Sequence, residues 1–239
     1  ANSYDRWRND NLTNRYQGVQ FGYTSAGRYT SWNDIWSYPG YKERDILPGD
    51  YKYEDWNGDG EINGQDEHPF AFDQTPWLQF SLNAGLQWKN FDFNMLLQGS
   101  ALGSMEYKEP LHEIWGKNGG GALTQFLDRW HPVDPKADPY DPSTVWTSGH
   151  YAYTGRWAKN NSAFNRVSTA YLRLKSIELG YTFPKLKQIP NASLRIYANA
   201  YNLLTFTGVK FVDPEHPDDD LGRMYPLNKT YTLGVSLSF

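Results

Sequence analysis

The sequence predicts an all-β protein whose strands cross a membrane in the manner of an outer-membrane barrel. Three observations predict it: strict period-two alternation over long segments, connections that alternate between short and long, and an aromatic content of 17% that gathers at strand ends.

The alternation is cleanest at the end of the chain. Tyr231, Leu233, Val235, Leu237 and Phe239 interleave with Thr232, Gly234, Ser236 and Ser238, which is the pattern of a strand with one apolar face. Leu78, Phe80, Leu82, Ala84, Leu86 and Trp88 interleave equally well with Gln79, Ser81, Asn83, Gly85 and Gln87, a run long enough to cross a bilayer. After a short turn at Lys89-Asn90, Phe91, Phe93, Met95 and Leu97 continue as the second arm of a hairpin. A further pair runs from about 169 to 183 and from 193 to 206. Here Leu172 and Leu174 have one parity and Ile177, Leu179, Tyr181 and Phe183 the other. That requires either a bulge or a change of environment near Lys175.

The predicted strands are therefore about 77–88, 91–105, 169–183, 193–206 and 228–239, with long connections at 107–168 and 207–227. Residues 1–76 read as mostly loop, with one strand near 17–23, and a short helix is expected between Leu111 and Trp130. The prolines at 132, 135, 139 and 142 argue against regular structure after it. Short turns on one side and long loops on the other is the membrane-barrel arrangement, and it sets Trp88, Phe91, Tyr181, Phe183 and Phe239 at one interface. Five strands are too few to close the wide barrel such loops imply. A soluble β-sandwich shares the period-two strands and is the competing fold.

Composition narrows the function. With 23 basic and 27 acidic residues and no basic run, there is no electrostatic footprint for a nucleic acid. Absence of cysteine removes disulfides, zinc-thiolate sites and thiol nucleophiles. The mean hydropathy of −0.74 and the lack of an apolar 18-residue run exclude a transmembrane helix, a test that barrels escape. The polar opening Ala1-Asn2-Ser3-Tyr4-Asp5-Arg6 is no signal peptide, so an exported protein is expected to have lost residues before it.

Three stretches resemble the SusC family of TonB-dependent transporters. Leu47-Pro48-Gly49-Asp50 followed by Asp55-Trp56-Asn57-Gly58-Asp59-Gly60-Glu61-Ile62 is similar to the family's PGD and D-x-N-x-DG-x-I segment. Tyr171-Leu172-Arg173-Leu174-Lys175-Ser176-Ile177-Glu178-Leu179-Gly180-Tyr181-Thr182-Phe183-Pro184 is similar to its YLRLKN-x-x-LGYTFP. Leu194-Arg195-Ile196-Tyr197, Asn202-Leu203, Asp213-Pro214-Glu215 and Tyr225-Pro226 lead to the last strand in the family's manner. The resemblance implies the C-terminal strands and extracellular loops of a large, 22-stranded, transmembrane antiparallel β-barrel in a Bacteroidota-type outer membrane. It also implies import of oligosaccharides or peptides with energy from TonB and a SusD-like surface lipoprotein as lid. By the same resemblance the plug and the TonB-contacting segment lie outside the chain, and the aromatic end at Phe239 is the barrel-assembly signal.

The strongest local motif is an EF-hand-like loop over 55–66. Asp55, Asn57 and Asp59 would supply side-chain oxygens to Ca2+, Glu61 its carbonyl and Asp66 the last carboxylate, where Glu is usual. An Asx-rich turn without metal is the alternative, and any ion would be structural. His68, His112, His131, His150 and His216 lack the spacing of a zinc site. The acidic residues Asp213, Glu215, Asp218, Asp219 and Asp220 suit a solvated loop or contact with cations or a partner. Trp32, Trp36, Trp115, Trp130, Trp146 and Trp157 suit loop packing or stacking on sugar rings. No G-x-S-x-G, Walker or dinucleotide motif supports an enzyme. The reading is thus a non-enzymatic importer segment in contact with outer-membrane lipid. The alternatives are a secreted calcium-stabilised carbohydrate-binding β-domain and, with less support, a glycoside hydrolase.

Overall fold

The computed structural model describes residues 17–40, 46–108, 111, 123–153, 161–184, 192–215, 224–225 and 227–239. In chain order the strands are β1 (Gln20–Gly22), β2 (Ser25–Arg28), β3 (Tyr51–Tyr53), β4 (His68–Ala71), β5 (Leu78–Trp88), β6 (Phe91–Ala101), β7 (Ser104–Glu106), β8 (His131–Pro132), β9 (Trp146–Thr147), β10 (Arg166–Ser168), β11 (Tyr171–Phe183), β12 (Ser193–Thr207) and β13 (Thr230–Ser238). One α-helical segment, α1 (Trp32–Ser37), precedes β3. These elements form two compact units.

The first unit is a five-stranded antiparallel sheet in the order β13-β12-β11-β6-β5. Its members are the five strands expected from alternation, each within a few residues of its predicted bounds. Strands β5 and β6 have 11 residues, β11 has 13 and β12 has 15, lengths above the usual globular strand. The β5–β6 hairpin closes at Lys89-Asn90, where Lys89 takes a φ of 55° to make the tight reversal that a two-residue loop demands.

Register aligns one apolar row across all five strands. Leu82 faces Leu97, Leu97 faces Leu174, and Leu174 faces Leu204; lower down, Leu86, Phe93, Leu179, Ala198 and Leu233 follow one another. The parity change in β11 is resolved as a bulge. Registers shift between Leu174 and Ser176 against both neighbours, so Lys175 is the extra residue opposite β6 and the two halves of β11 keep the same apolar face. On β12 the irregularity lies beside Asn202, which has a φ of 52°.

This apolar row is not buried. Leu82, Leu86 and Trp88 on β5 and Tyr231, Leu233 and Val235 on β13 are all more than half exposed, with Leu233 at 77%. A water-soluble domain does not leave so wide a contiguous hydrocarbon face open, and a sandwich would cover it with a second sheet. At the hairpin end the rings form a connected series: Trp88 stacks on Phe91 at 6.3 Å, Phe91 meets Tyr181 edge-on at 4.7 Å, and Tyr181 meets Phe183 at 4.7 Å. Four of the five aromatics that the sequence sets at one interface thus meet here, and Phe239, 93% exposed, is not part of the series.

The second unit is drawn from residues up to Gln74 and from Ser104–Val167. It contains short two-stranded pairings, β1 with β4, β2 with β3, β7 with β10 and β8 with β9. Its small core packs Tyr23, Tyr53 and Ile62 against Tyr51 and Phe164. The strand expected near 17–23 is β1, but β2, β3, β4 and α1 have no counterpart in the expectation for 1–76. Between Leu111 and Trp130 the described helical residues are a single 3-10 turn at Thr124–Leu127, and 112–122 lie outside the described residues. The prolines after Trp130 do not prevent a two-residue ladder at His131–Pro132. Beyond it come three Asp-Pro turns, in which Asp134, Asp138 and Asp141 each accept the amide of the residue two positions on, at 2.8–2.9 Å.

Candidate functional site on the polar face of the sheet

Opposite the apolar row, the strands present Gln79, Ser81, Asn83 and Gln87 from β5, Asp92, Asn94 and Gln98 from β6, and Asn199 and Thr232 from β12 and β13. Charge is concentrated at two points along this face.

Near the hairpin end, the Arg195 guanidinium bridges three strands. Its Nε donates to Asp92 Oδ1 at 3.1 Å, and its Nη2 reaches both Asp92 Oδ2 and Glu178 Oε1, the latter at 2.6 Å. Asn199 Nδ2 contributes a longer contact of 3.4 Å to Glu178 Oε2, and the Tyr197 ring lies 4.7 Å from the Arg195 head. Two carboxylates against one guanidinium leave the cluster anionic, with all three side chains partly open to solvent.

Toward the other end, Arg173 is only 1% exposed. Its Nε donates to Thr205 Oγ1 at 3.0 Å, its Nη2 to Asp213 Oδ2 at 2.6 Å and its Nη1 to Glu215 Oε2. Tyr171 completes the arrangement: its hydroxyl donates to Glu215 Oε1 at 2.7 Å, and its ring lies 5.2 Å from the guanidinium. Each of the three guanidinium nitrogens has a partner, and two of the partners are carboxylates, which is what burial of a charge demands. Asp213 and Glu215, expected from the sequence in a solvated loop or in contact with cations or a partner, are thus ion-pair partners of Arg173 on β11. Asp218, Asp219 and Asp220 lie outside the described residues.

The predicted cation loop sits in the other unit. Asp55 Oδ1 accepts the amides of Gly58 and Asp59 at 2.8 and 3.2 Å, its Oδ2 that of Gly60 at 2.9 Å, and Asn57 Oδ1 that of Asp59 at 2.9 Å. Gly60 holds a φ of 84°, which lets the chain turn sharply around these oxygens. Asp59 Oδ1 accepts the Glu61 amide at 2.8 Å, and the Glu61 carbonyl receives a long contact from Asn63 Nδ2 at 3.5 Å. Asp66 is fully buried and spends both oxygens on amides, Oδ1 on Trp56 at 2.9 Å and Oδ2 on Asn63 at 2.7 Å. Burial pushes its carboxyl above the usual carboxylate range, and the amide donors oppose that push. Among the described residues no three acidic or histidine side chains converge as a metal site.

Of the tryptophans, Trp130 is buried and Trp146 packs edge-on against Tyr153 at 5.3 Å, while Trp36 is 69% exposed with Trp32 beside it at 6.0 Å. Trp115 and Trp157 lie outside the described residues, as do His112 and His216. His68 is buried against Trp56, its ring stacked at 3.7 Å. The four residues that carry the charge of the polar face, Asp92, Glu178, Arg173 and Arg195, were not singled out from the sequence as site residues. The available signal was their position: a charge in a strand that crosses a membrane must find a partner or face water.

Comparison with known proteins places these features. No family model matches the chain. It is 28% identical over 211 residues to "TonB-dependent receptor P3" of Formosa agariphila, an alignment covering 82% of this chain and 19% of that protein. It is 25% identical over 210 residues to "TonB-dependent receptor SusC" of Bacteroides thetaiotaomicron, covering 87% of this chain and 19% of that one. Over most of its length the chain is homologous to proteins named TonB-dependent receptors, SusC among them. It spans about a fifth of the length of the curated relatives it matches. Among solved structures, the RagAB peptide transporter matches with a TM-score of 0.59 at 20% identity, over 92% of this chain and 22% of that one. The RagAB importer in its closed-closed state matches with a TM-score of 0.57 at 18% identity, over 92% and 23%. These structural likenesses show the fold: the five-stranded sheet matches part of the barrel of those proteins.

Proposed function

We propose that the chain is part of a TonB-dependent importer of the bacterial outer membrane, supplying barrel wall and extracellular loops and performing no covalent chemistry. The observation that carries this reading is the two-faced sheet: an open hydrocarbon row on one side, and on the other a polar row whose charges are paired. A secreted carbohydrate-binding β-domain is not favoured, because such a domain would have to bury the apolar row.

The substrate class we propose is oligosaccharide, with peptide as the second option that the RagAB likeness raises. The partners are TonB, through parts of the protein beyond this chain, and a SusD-like lipoprotein over the extracellular loops. Support comes from the relatives named SusC and RagAB. Structural calcium in the 55–66 loop belongs to the same reading. It is supported by the spacing of Asp55, Asn57 and Asp59 and their gathering inside one turn. Asp66, held by amides, is the weakest member of that ligand set.

The test is uptake of labelled oligosaccharides and peptides by cells carrying the intact gene, with and without collapse of the proton gradient and with and without TonB. Uptake that requires both is expected. Uptake that persists without them, or recovery of the full-length protein from the aqueous phase without detergent, would overturn the reading.

A further inference from the structure

Arg173 lies in the polar row of β11, opposite Gln98 on β6 and Thr205 on β12. Its two carboxylate partners, however, come from the segment after β12, which must fold back over the polar face to reach it. Val209 and Pro214 of that segment are buried, Val209 at 8% exposure. Asp213 Oδ1 accepts the Glu215 amide at 3.0 Å and so presents both carboxylates on the same side of the chain. One guanidinium therefore holds the loop segment against the polar face at two residues, Asp213 and Glu215, and Tyr171 of β11 adds a hydrogen bond to Glu215.

We propose that Arg173 is a positioning residue for solute passage: through Asp213 and Glu215 it fastens residues 209–215 against the polar face of the barrel wall, where they line and narrow the solute's path. The part concerning passage rests on the importer reading; the fastening itself does not. Arginine suits the task because its planar fork engages two carboxylates at once, whereas lysine offers a single point charge.

Labelling and uptake test the two parts separately. In the full-length transporter in outer-membrane vesicles, Val209→Cys provides a reporter thiol in a segment that contains no cysteine. An impermeant maleimide should label it slowly while the fastening holds. Arg173→Met and the pair Asp213→Asn with Glu215→Gln should each raise the labelling rate at least tenfold, and Arg173→Lys should restore part of the protection. The same variants should change the KM for uptake at unchanged transporter number, again with partial rescue by lysine. Unchanged labelling in a heat-modifiable, folded barrel overturns the fastening; should Arg173→Met fail to assemble, the loop pair decides by the same criterion. Faster labelling with an unchanged KM overturns the role in passage. Faster labelling with uptake independent of TonB leaves the fastening in place and removes the importer reading instead.

Discussion

Gly180 lies directly beneath the carboxylate of Asp92. A Cβ built at Gly180 would stand 2.5 Å from Asp92 Oδ1 and 2.6 Å from Arg195 Nη2, so the bridge across β6, β11 and β12 occupies the space a side chain would need. Gly180→Ala should therefore displace the Arg195–Asp92 pair. The clashing atoms are the ends of two partly exposed side chains that can swing aside, so the expected loss is about 0.5–1 kcal/mol, the usual worth of such an ion pair. Urea unfolding of the full-length protein in detergent measures it. Combining the change with Asp92→Ala, which opens the space, should cost less than the sum of the two single changes. Strict additivity would show that the close approach carries no energy.

What the sequence made legible was the repeating part of the structure. All five wall strands follow from alternation because period two directly encodes which face is apolar, and β5, β6 and β13 keep it without interruption. At Lys175 the parity break was visible, but its cause was not. A bulge and a change of surroundings leave the same trace in a sequence, and only the registers with β6 and β12 decide for the bulge. The strands β2, β3 and β4 are three or four residues long, below the length at which periodicity carries information. The Arg173 cluster was illegible for a different reason. Its partners lie 40 and 42 residues away, and nothing in Asp213-Pro214-Glu215 alone distinguishes a clamp from a solvated loop.

The orientation of the sheet can be tested with neighbouring residues of β13. Leu233 lies in the open apolar row, and Thr232 beside it lies in the polar row. Leu233→Arg is expected to cost about 2–4 kcal/mol in a lipid-embedded barrel if it sits near the midplane. Thr232→Arg should cost far less, because the lumen side is wet. The measurement is the folded fraction of each full-length variant in lipid vesicles, read from heat-modifiable mobility. Equal tolerance of both substitutions would contradict the assignment of faces.

Asp34 gives a pH-dependent contact in the other unit. Its carboxylate meets Lys52 Nζ at 2.6 Å and accepts the Thr30 amide at 3.1 Å, and the hydrogen bond from Lys52 above all holds its pKa below the ordinary carboxylate value. A folded-state pKa below the unfolded one means the contribution is fully present above the unfolded value, near pH 4. It is lost as pH falls through the folded pKa. The pair is partly exposed, so the contribution is about 0.5–1 kcal/mol. Protease protection of the segment around α1 should thus differ between the native protein and Asp34→Asn at pH 7. The difference should shrink as the pH falls below about 4, and a difference that grows with acid would reverse the sign.

Calcium bears on the 55–66 loop in a way that chelation can reveal. If an ion seats among Asp55, Asn57 and Asp59, adding calcium to chelator-treated protein should slow proteolysis between Trp56 and Asn63. Asp59→Ala should abolish that response. Asp66→Ala should make the same segment labile with or without calcium, because Asp66 anchors the Trp56 and Asn63 amides in the structure itself. A loop indifferent to calcium in the native protein would leave it as an Asx-rich turn.

Deleting Lys175 tests what the bulge does for β11. With the residue present, Leu172 and Leu174 share the apolar face with Ile177 and Leu179 despite their opposite parity, because Lys175 is the extra residue opposite β6. Without it Leu174 and Ile177 stand two positions apart, so plain alternation keeps Leu172, Leu174, Ile177 and Leu179 on one face and Arg173 on the other. Pairing with β6 becomes continuous, and the misfit is confined to β12 between Leu204 and Tyr201. The deletion should therefore still assemble as a full-length barrel, scored by the heat-modifiable band, as should Lys175→Ala. Deleting Lys175 and Ser176 together makes Leu174 and Ile177 neighbours, so continuous pairing turns one half of the strand over. If the Ile177–Phe183 half keeps its register, Arg173 leaves the polar face, at a cost of about 2–4 kcal/mol near a bilayer midplane before counting the ion pairs it abandons. The double deletion should abolish assembly, and its normal assembly would show that β11 reaches its facing by another route.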